Sequence, residues 1–136
     1  MNKKIEKPGN KKRKKRILFA DDERHVREIM EEILTHLNYD IVTVEDGLSF
    51  YETFKEDKDG FDLLILDIIM PEMNGRDALL KVRKIAPEIP AILISGYTSE
   101  EMATNIMQIP KIKFLKKPFK IEQMKKVIKL MIEKEK

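Results

Sequence analysis

Five short apolar runs divide the chain, and between them apolar residues recur at helical spacing. The runs are Ile17 to Ala20, Ile41 to Val44, Phe61 to Leu66, Ala91 to Ile94 and Ile112 to Leu115. Leu63-Leu64-Ile65-Leu66 shows no polar alternation, which suits a strand covered on both faces and therefore a parallel sheet flanked by helices. After the first run, Val26, Ile29, Met30, Ile33, Leu34 and Leu37 form the stripe of a helix packed on one face. Asp21 or Asp22 falls near its start, where a carboxylate accepts backbone hydrogen bonds and meets the positive end of the helix dipole.

The same spacing places a second helix from Asp46 to about Lys58, carrying Phe50, Tyr51 and Phe54 and stopped by Gly60. A third runs from Arg76 to Ile85 with Leu79, Leu80 and Val82 inward, and Pro87 and Pro90 bracket the turn after it. Ser99 caps a fourth, with Glu100 and Glu101 in its first turn and an end near Ile109. A fifth, Ile121 to about Glu133, carries Ile121, Met124, Val127, Ile128, Met131 and Ile132 inward. Strands alternating with helices at this spacing predict an α/β domain, a doubly wound five-stranded parallel sheet with right-handed crossovers. In the strand order 2-1-3-4-5 the crevice lies between strands one and three, and ligands of such sheets bind outside the carboxyl ends of the strands.

At 136 residues the chain suits one domain that buries roughly two thirds of its unfolded surface. The absence of Cys excludes disulfides, thiolate metal sites and cysteine nucleophiles. No apolar stretch approaches the ~20 residues of a membrane span, and the start lacks the apolar segment of a secretory signal, so a cytoplasmic location is expected. Charge changes the picture at one end only. Residues 1 to 16 hold nine Lys or Arg and one Glu, whereas the remainder is net acidic. Residues 1 to 15 therefore read as a disordered basic tail, made flexible by Pro8-Gly9-Asn10, and residues 16 to 136 as the domain. Such a tail has a second possible use, phosphate contacts with nucleic acid or an anionic surface, but no aromatic residue interleaves Lys11 to Arg16.

The candidate chemistry gathers at strand ends. Asp22, Asp67, Ser95 and Lys117 end strands one, three, four and five, and Asp22 is expected to face Asp67 across the crevice, with Asp21 close by. Carboxylates that close repel unless a proton or cation intervenes. An all-oxygen cluster with open positions suits Mg²⁺ (or Mn²⁺), completed by water and phosphate oxygens. Lys117 supplies a point charge and Ser95 a hydroxyl donor for a phosphoryl group. Asp67, on the central strand, is the expected nucleophile, forming an acyl phosphate.

These residues carry a resemblance over residues 16 to 134. The acidic pair Asp21-Asp22, the run Leu66-Asp67-Ile68-Ile69-Met70-Pro71-Glu72-Met73-Asn74-Gly75, Ser95-Gly96 and Lys117-Pro118-Phe119 resemble the receiver domain of two-component response regulators, a flavodoxin-like fold. The resemblance implies that Asp67 accepts a phosphoryl group from the phosphohistidine of a sensor histidine kinase or histidine phosphotransfer protein, or from a small phosphodonor. It implies Mg²⁺ on Asp22 and Asp67 with the backbone carbonyl of Ile69, Asp21 assisting through water. It further implies a cis peptide between Lys117 and Pro118, a switch pair of Ser95 and Phe114, and a target surface on the fourth helix, fifth strand and fifth helix. For Phe114 an ordinary core role stands beside the switch role.

Two departures bear on chemistry. Ile69 and Tyr97 stand where many receivers carry polar groups that orient the hydrolytic water, so slow self-dephosphorylation is expected. Ile69 also argues against a phosphohydrolase of the haloacid-dehalogenase type, which needs a second Asp two residues after its nucleophile. A receiver portion of a hybrid kinase and a nucleic-acid binder driven by the basic tail compete with the leading expectation, a phosphoacceptor switch without a DNA-binding domain and not a turnover enzyme. His25 and His36 read as solvated, and Met70 and Met73 as loop packing.

Overall fold

The computed structural model describes residues 14–96 and 108–132. Its elements in chain order are β1 (Arg16–Ala20), α1 (Arg24–His36), β2 (Asp40–Val44), α2 (Gly47–Glu56), β3 (Leu63–Asp67), α3 (Gly75–Ile85), β4 (Ala91–Ser95), β5 (Ile112–Lys116) and α4 (Ile121–Ile132). Residues 99–107 of the helix expected from Ser99 to Ile109, Tyr97 and the basic tail up to Arg13 lie outside the described residues, while Gln108 stands in a turn and Ile109 in a bend. Helix α4 is thus the last one expected from the sequence.

All five strands are parallel, in the order β2-β1-β3-β4-β5. The three central strands are buried almost throughout, as unbroken apolar runs require when helices cover both faces. The two-residue period of a strand then sorts side chains into two cores. Leu18, Ala20, Leu64, Leu66, Ala91 and Leu93 pack with Phe50 and Phe54 of α2 and Ala78, Leu79 and Val82 of α3. Ile17, Phe19, Leu63, Ile65, Ile92, Ile94 and Leu115 pack with Met30 and Leu34 of α1 and Met124, Ile128 and Ile132 of α4. The sheet is therefore doubly wound, with α2 and α3 on one face and α1 and α4 on the other.

Local caps set the helix starts. Asp46 accepts a hydrogen bond from the Ser49 amide at 2.7 Å, and Asn74 one from the Asp77 amide at 2.8 Å, each relieving an orphan donor of a first turn. Two expected core residues are instead exposed: Ile29 at 43 % and Ile121 at 51 %. At about 100° per residue, Ile29 falls outside the arc from Ile33 to Leu34 that meets the sheet. Ile121 opens α4, beyond the last strand residue. His25 and His36 are exposed. Among the described residues no helix is long and apolar enough to cross a membrane.

Candidate functional site

The parallel ladder runs one residue past several strand ends, and those extra bonds build the site. The Asp21 amide donates to the Val44 carbonyl at 3.2 Å, that of Ile68 to Ile94 at 2.9 Å, and that of Lys117 to Ser95 at 2.8 Å. Held in register, Asp21, Asp67 and Lys117 follow the step of Phe19, Ile65 and Leu115 and emerge on the α1/α4 side. Asp21 is 2 % exposed and Asp67 6 %. Lys117 Nζ donates to Asp67 Oδ2 at 2.9 Å and lies 3.7 Å from Asp21 Oδ2. Asp67 Oδ1 accepts the Ile69 amide at 3.1 Å, and Asp21 Oδ1 that of Glu23 at 2.9 Å. The Lys117–Pro118 peptide is cis.

One member of the acidic pair is placed differently from the expectation. Asp21, not Asp22, reaches toward Lys117 and Asp67, while Asp22 is exposed. Asp21 still obeys the strand alternation because its amide is bonded to Val44; Asp22 lies past the last ladder bond. Ser95 is fully buried and follows the step of Ala91 and Leu93. Phe114, partly buried, packs against that same α2/α3-side core. The two therefore share the face opposite Asp21, Asp67 and Lys117.

The loop after Asp67 folds back over it. Ile68 and Met70 turn into the α2/α3 core, where Met73 also packs, and Ile69 points out, 61 % exposed. The Gly75 amide donates to the Ile68 carbonyl at 2.7 Å. A Cβ on Gly75 would lie 2.2 Å from the Asp67 carbonyl oxygen, so only glycine allows this approach. Gly75 closes the motif around Asp67, but its contact with the Asp67 backbone is not legible in the sequence. Glu23 and Arg27, which bind Asp21, are not marked there either: the first acts through its amide and the second lies on the polar side of the α1 stripe.

The electrostatics follow from burial and crowding. Burial raises the Asp21 carboxyl from 3.8 to about 6; the Glu23 amide opposes this, the Asp67 charge adds to it and Lys117 counters it. Burial pulls the Lys117 ammonium down, but the hydrogen bond and charge of Asp67, with Asp21 and Glu23, leave it above its ordinary value. One ammonium thus serves two buried carboxylates, an excess of negative charge that a cation relieves. Among the described residues no three His, Cys, Asp or Glu side chains form a group that could hold a metal ion. The all-oxygen donors fit a hard ion that keeps several waters, as Mg²⁺ does, better than one needing a full protein cage.

Comparison with known proteins identifies the family of the domain that carries this site. The family model for the response regulator receiver domain matches residues 17–129. The chemotaxis protein CheY of Thermotoga maritima is 32 % identical over 120 residues, covering 85 % of this chain and 98 % of that protein. The sensor kinase CckA of Brucella abortus is 32 % identical over 133 residues, covering 98 % of this chain, which spans only 14 % of that kinase. Among solved structures, the receiver domain of the sensor histidine kinase PA1611 from Pseudomonas aeruginosa has a TM-score of 0.79 at 21 % identity. The match covers 88 % of this chain and 98 % of that domain, which coordinates magnesium in its active site cleft. The chain belongs to the response regulator receiver domain family.

Proposed function

We propose that Asp67 is the phosphoacceptor of this receiver. The observation that carries the reading is the buried Asp67 carboxylate at the end of β3, hydrogen-bonded to Lys117 Nζ at 2.9 Å. A carboxylate oxygen attacks phosphorus, and the bond from phosphorus to the imidazole nitrogen of a phosphohistidine breaks with its electron pair on the nitrogen, leaving an acyl phosphate on Asp67. Lys117 balances the growing negative charge, and Ser95, which ends β4 beside the end of β3, donates its hydroxyl over the edge of the sheet to a phosphoryl oxygen. Asp21, Asp22, Asp67 and the Ile69 carbonyl would hold Mg²⁺, which supplies charge neutralisation for the transferring group when bound. The donor is a sensor histidine kinase or a histidine phosphotransfer protein in the cytoplasm, and the protein works as a switch rather than a turnover enzyme. Ser95 and Phe114 pass the change to the surface around β5 and α4, a shift between two packings biased by the new charge.

The test is incubation with acetyl phosphate and Mg²⁺ followed by intact-protein mass measurement. A gain of one phosphoryl mass that disappears in Asp67→Asn supports the reading. No gain with any phosphodonor, or a gain that survives the substitution, overturns it.

A further inference from the structure

Asp21 has four polar atoms, and each has a partner. Its amide donates to the Val44 carbonyl at 3.2 Å, its Oδ1 accepts the Glu23 amide at 2.9 Å, and its Oδ2 lies 3.7 Å from Lys117 Nζ. The fourth, the main-chain carbonyl, accepts Nη1 of Arg27 at 3.0 Å. Arg27 stands in the second turn of α1, its side chain only 18 % exposed, with Nη2 3.8 Å from Glu45 Oε1 in the connection between β2 and α2. That carbonyl belongs to the peptide joining Asp21 to Asp22. Nearly buried, the guanidinium therefore ties the peptide between the two acidic residues to the body of α1.

We infer that Arg27 is a positioning residue: by holding the Asp21 carbonyl it fixes the peptide from which both carboxylates approach the metal position. This rests on the site proposed above. A guanidinium suits the task because its rigid fork spans two acceptors at once, where an ammonium offers a compact, strongly hydrated point charge. Groups that orient metal-binding residues from behind shape affinity without touching the ion. The long-range charge of Arg27 acts in the opposite direction, repelling a cation, so positioning and simple charge predict opposite signs.

The experiment measures Mg²⁺ affinity by calorimetric titration of the full chain for wild type, Arg27→Gln and Arg27→Lys, with urea melts and amide exchange on the metal-free proteins. Positioning predicts weaker Mg²⁺ binding in both variants, on the order of tenfold for Gln and less for Lys, with faster exchange of the Asp21 amide. Tighter binding in Arg27→Gln with Arg27→Lys unchanged assigns the residue a charge effect only and overturns the inference. Lower stability with unchanged affinity in the folded variants also overturns it, assigning a structural role alone. Failure of the wild-type protein to bind Mg²⁺ sinks the site reading itself, an outcome separable from the others.

Discussion

Lys117 donates to Asp67 Oδ2 at 2.9 Å across a separation of fifty residues, joining the end of β5 to the end of β3 over the top of β4. The same ammonium lies 3.7 Å from Asp21 Oδ2. Two buried carboxylates thus depend on one partly exposed cation, and most of the chemistry expected of the site follows from that imbalance.

Removing the cation exposes the repulsion. Lys117→Ala is expected to lose about 2 kcal/mol of stability at neutral pH without metal, because two buried carboxylates lose their shared counter-charge. Urea unfolding with and without Mg²⁺ measures it, and added Mg²⁺ should restore part of the loss.

Asp21→Asn should act in the opposite direction. The folded carboxyl titrates at about 6 and its ordinary value is 3.8, so the native state binds this proton more tightly than the unfolded chain. This group's contribution to stability therefore falls as pH rises from about 4 to about 6 and is level above. The Asn variant, retaining an oxygen for the Glu23 amide, is expected to be more stable than wild type by about 1 to 2 kcal/mol at neutral pH in chelator, the gain vanishing near pH 4. Mg²⁺ affinity should fall in the same variant. Urea melts across that range, paired with Mg²⁺ titration, check both signs.

The loop over Asp67 tolerates no side chain at its closest approaches. A Cβ on Gly75 would lie 2.2 Å from the Asp67 carbonyl, and one on Gly47 would meet the Met73 carbonyl at 1.8 Å. Both obstacles are backbone and cannot rotate aside. Gly75→Ala and Gly47→Ala are each expected to cost at least about 2 kcal/mol in urea unfolding.

Ile69 offers a contrast, since 61 % of it is already exposed. Ile69→Asn should leave stability within about 0.5 kcal/mol while shortening the lifetime of phospho-Asp67, because an amide can orient an attacking water and an isoleucine cannot. Phosphate release from the acetyl-phosphate-treated protein measures the lifetimes. An unchanged lifetime would refute the role given to this position.

Strand identity, order and the roster of strand-end residues are legible because unbroken apolar runs and helical stripes are properties of sequence spacing. The division of labour between Asp21 and Asp22 is not. It depends on where the ladder stops, and the bond from Asp21 to Val44 joins residues that spacing alone does not pair. Arg27 is hidden for a related reason, since a charged residue beside an apolar stripe reads as solvated until its guanidinium is seen on a carbonyl. Ile29 shows the reverse error, an apolar residue credited to the core although it sits just outside the contacting arc.

The sorting of side chains by strand step also limits how this domain can vary in length. A single-residue deletion near the end of β3 or β5 would turn Asp67 or Lys117 to the opposite side of the sheet. The hydrogen bond between the lysine and the carboxylate would then be lost. Lineages carrying this domain are accordingly expected to confine insertions and deletions to the connections at the amino-terminal ends of the strands, where a changed length leaves the alternation beyond it intact.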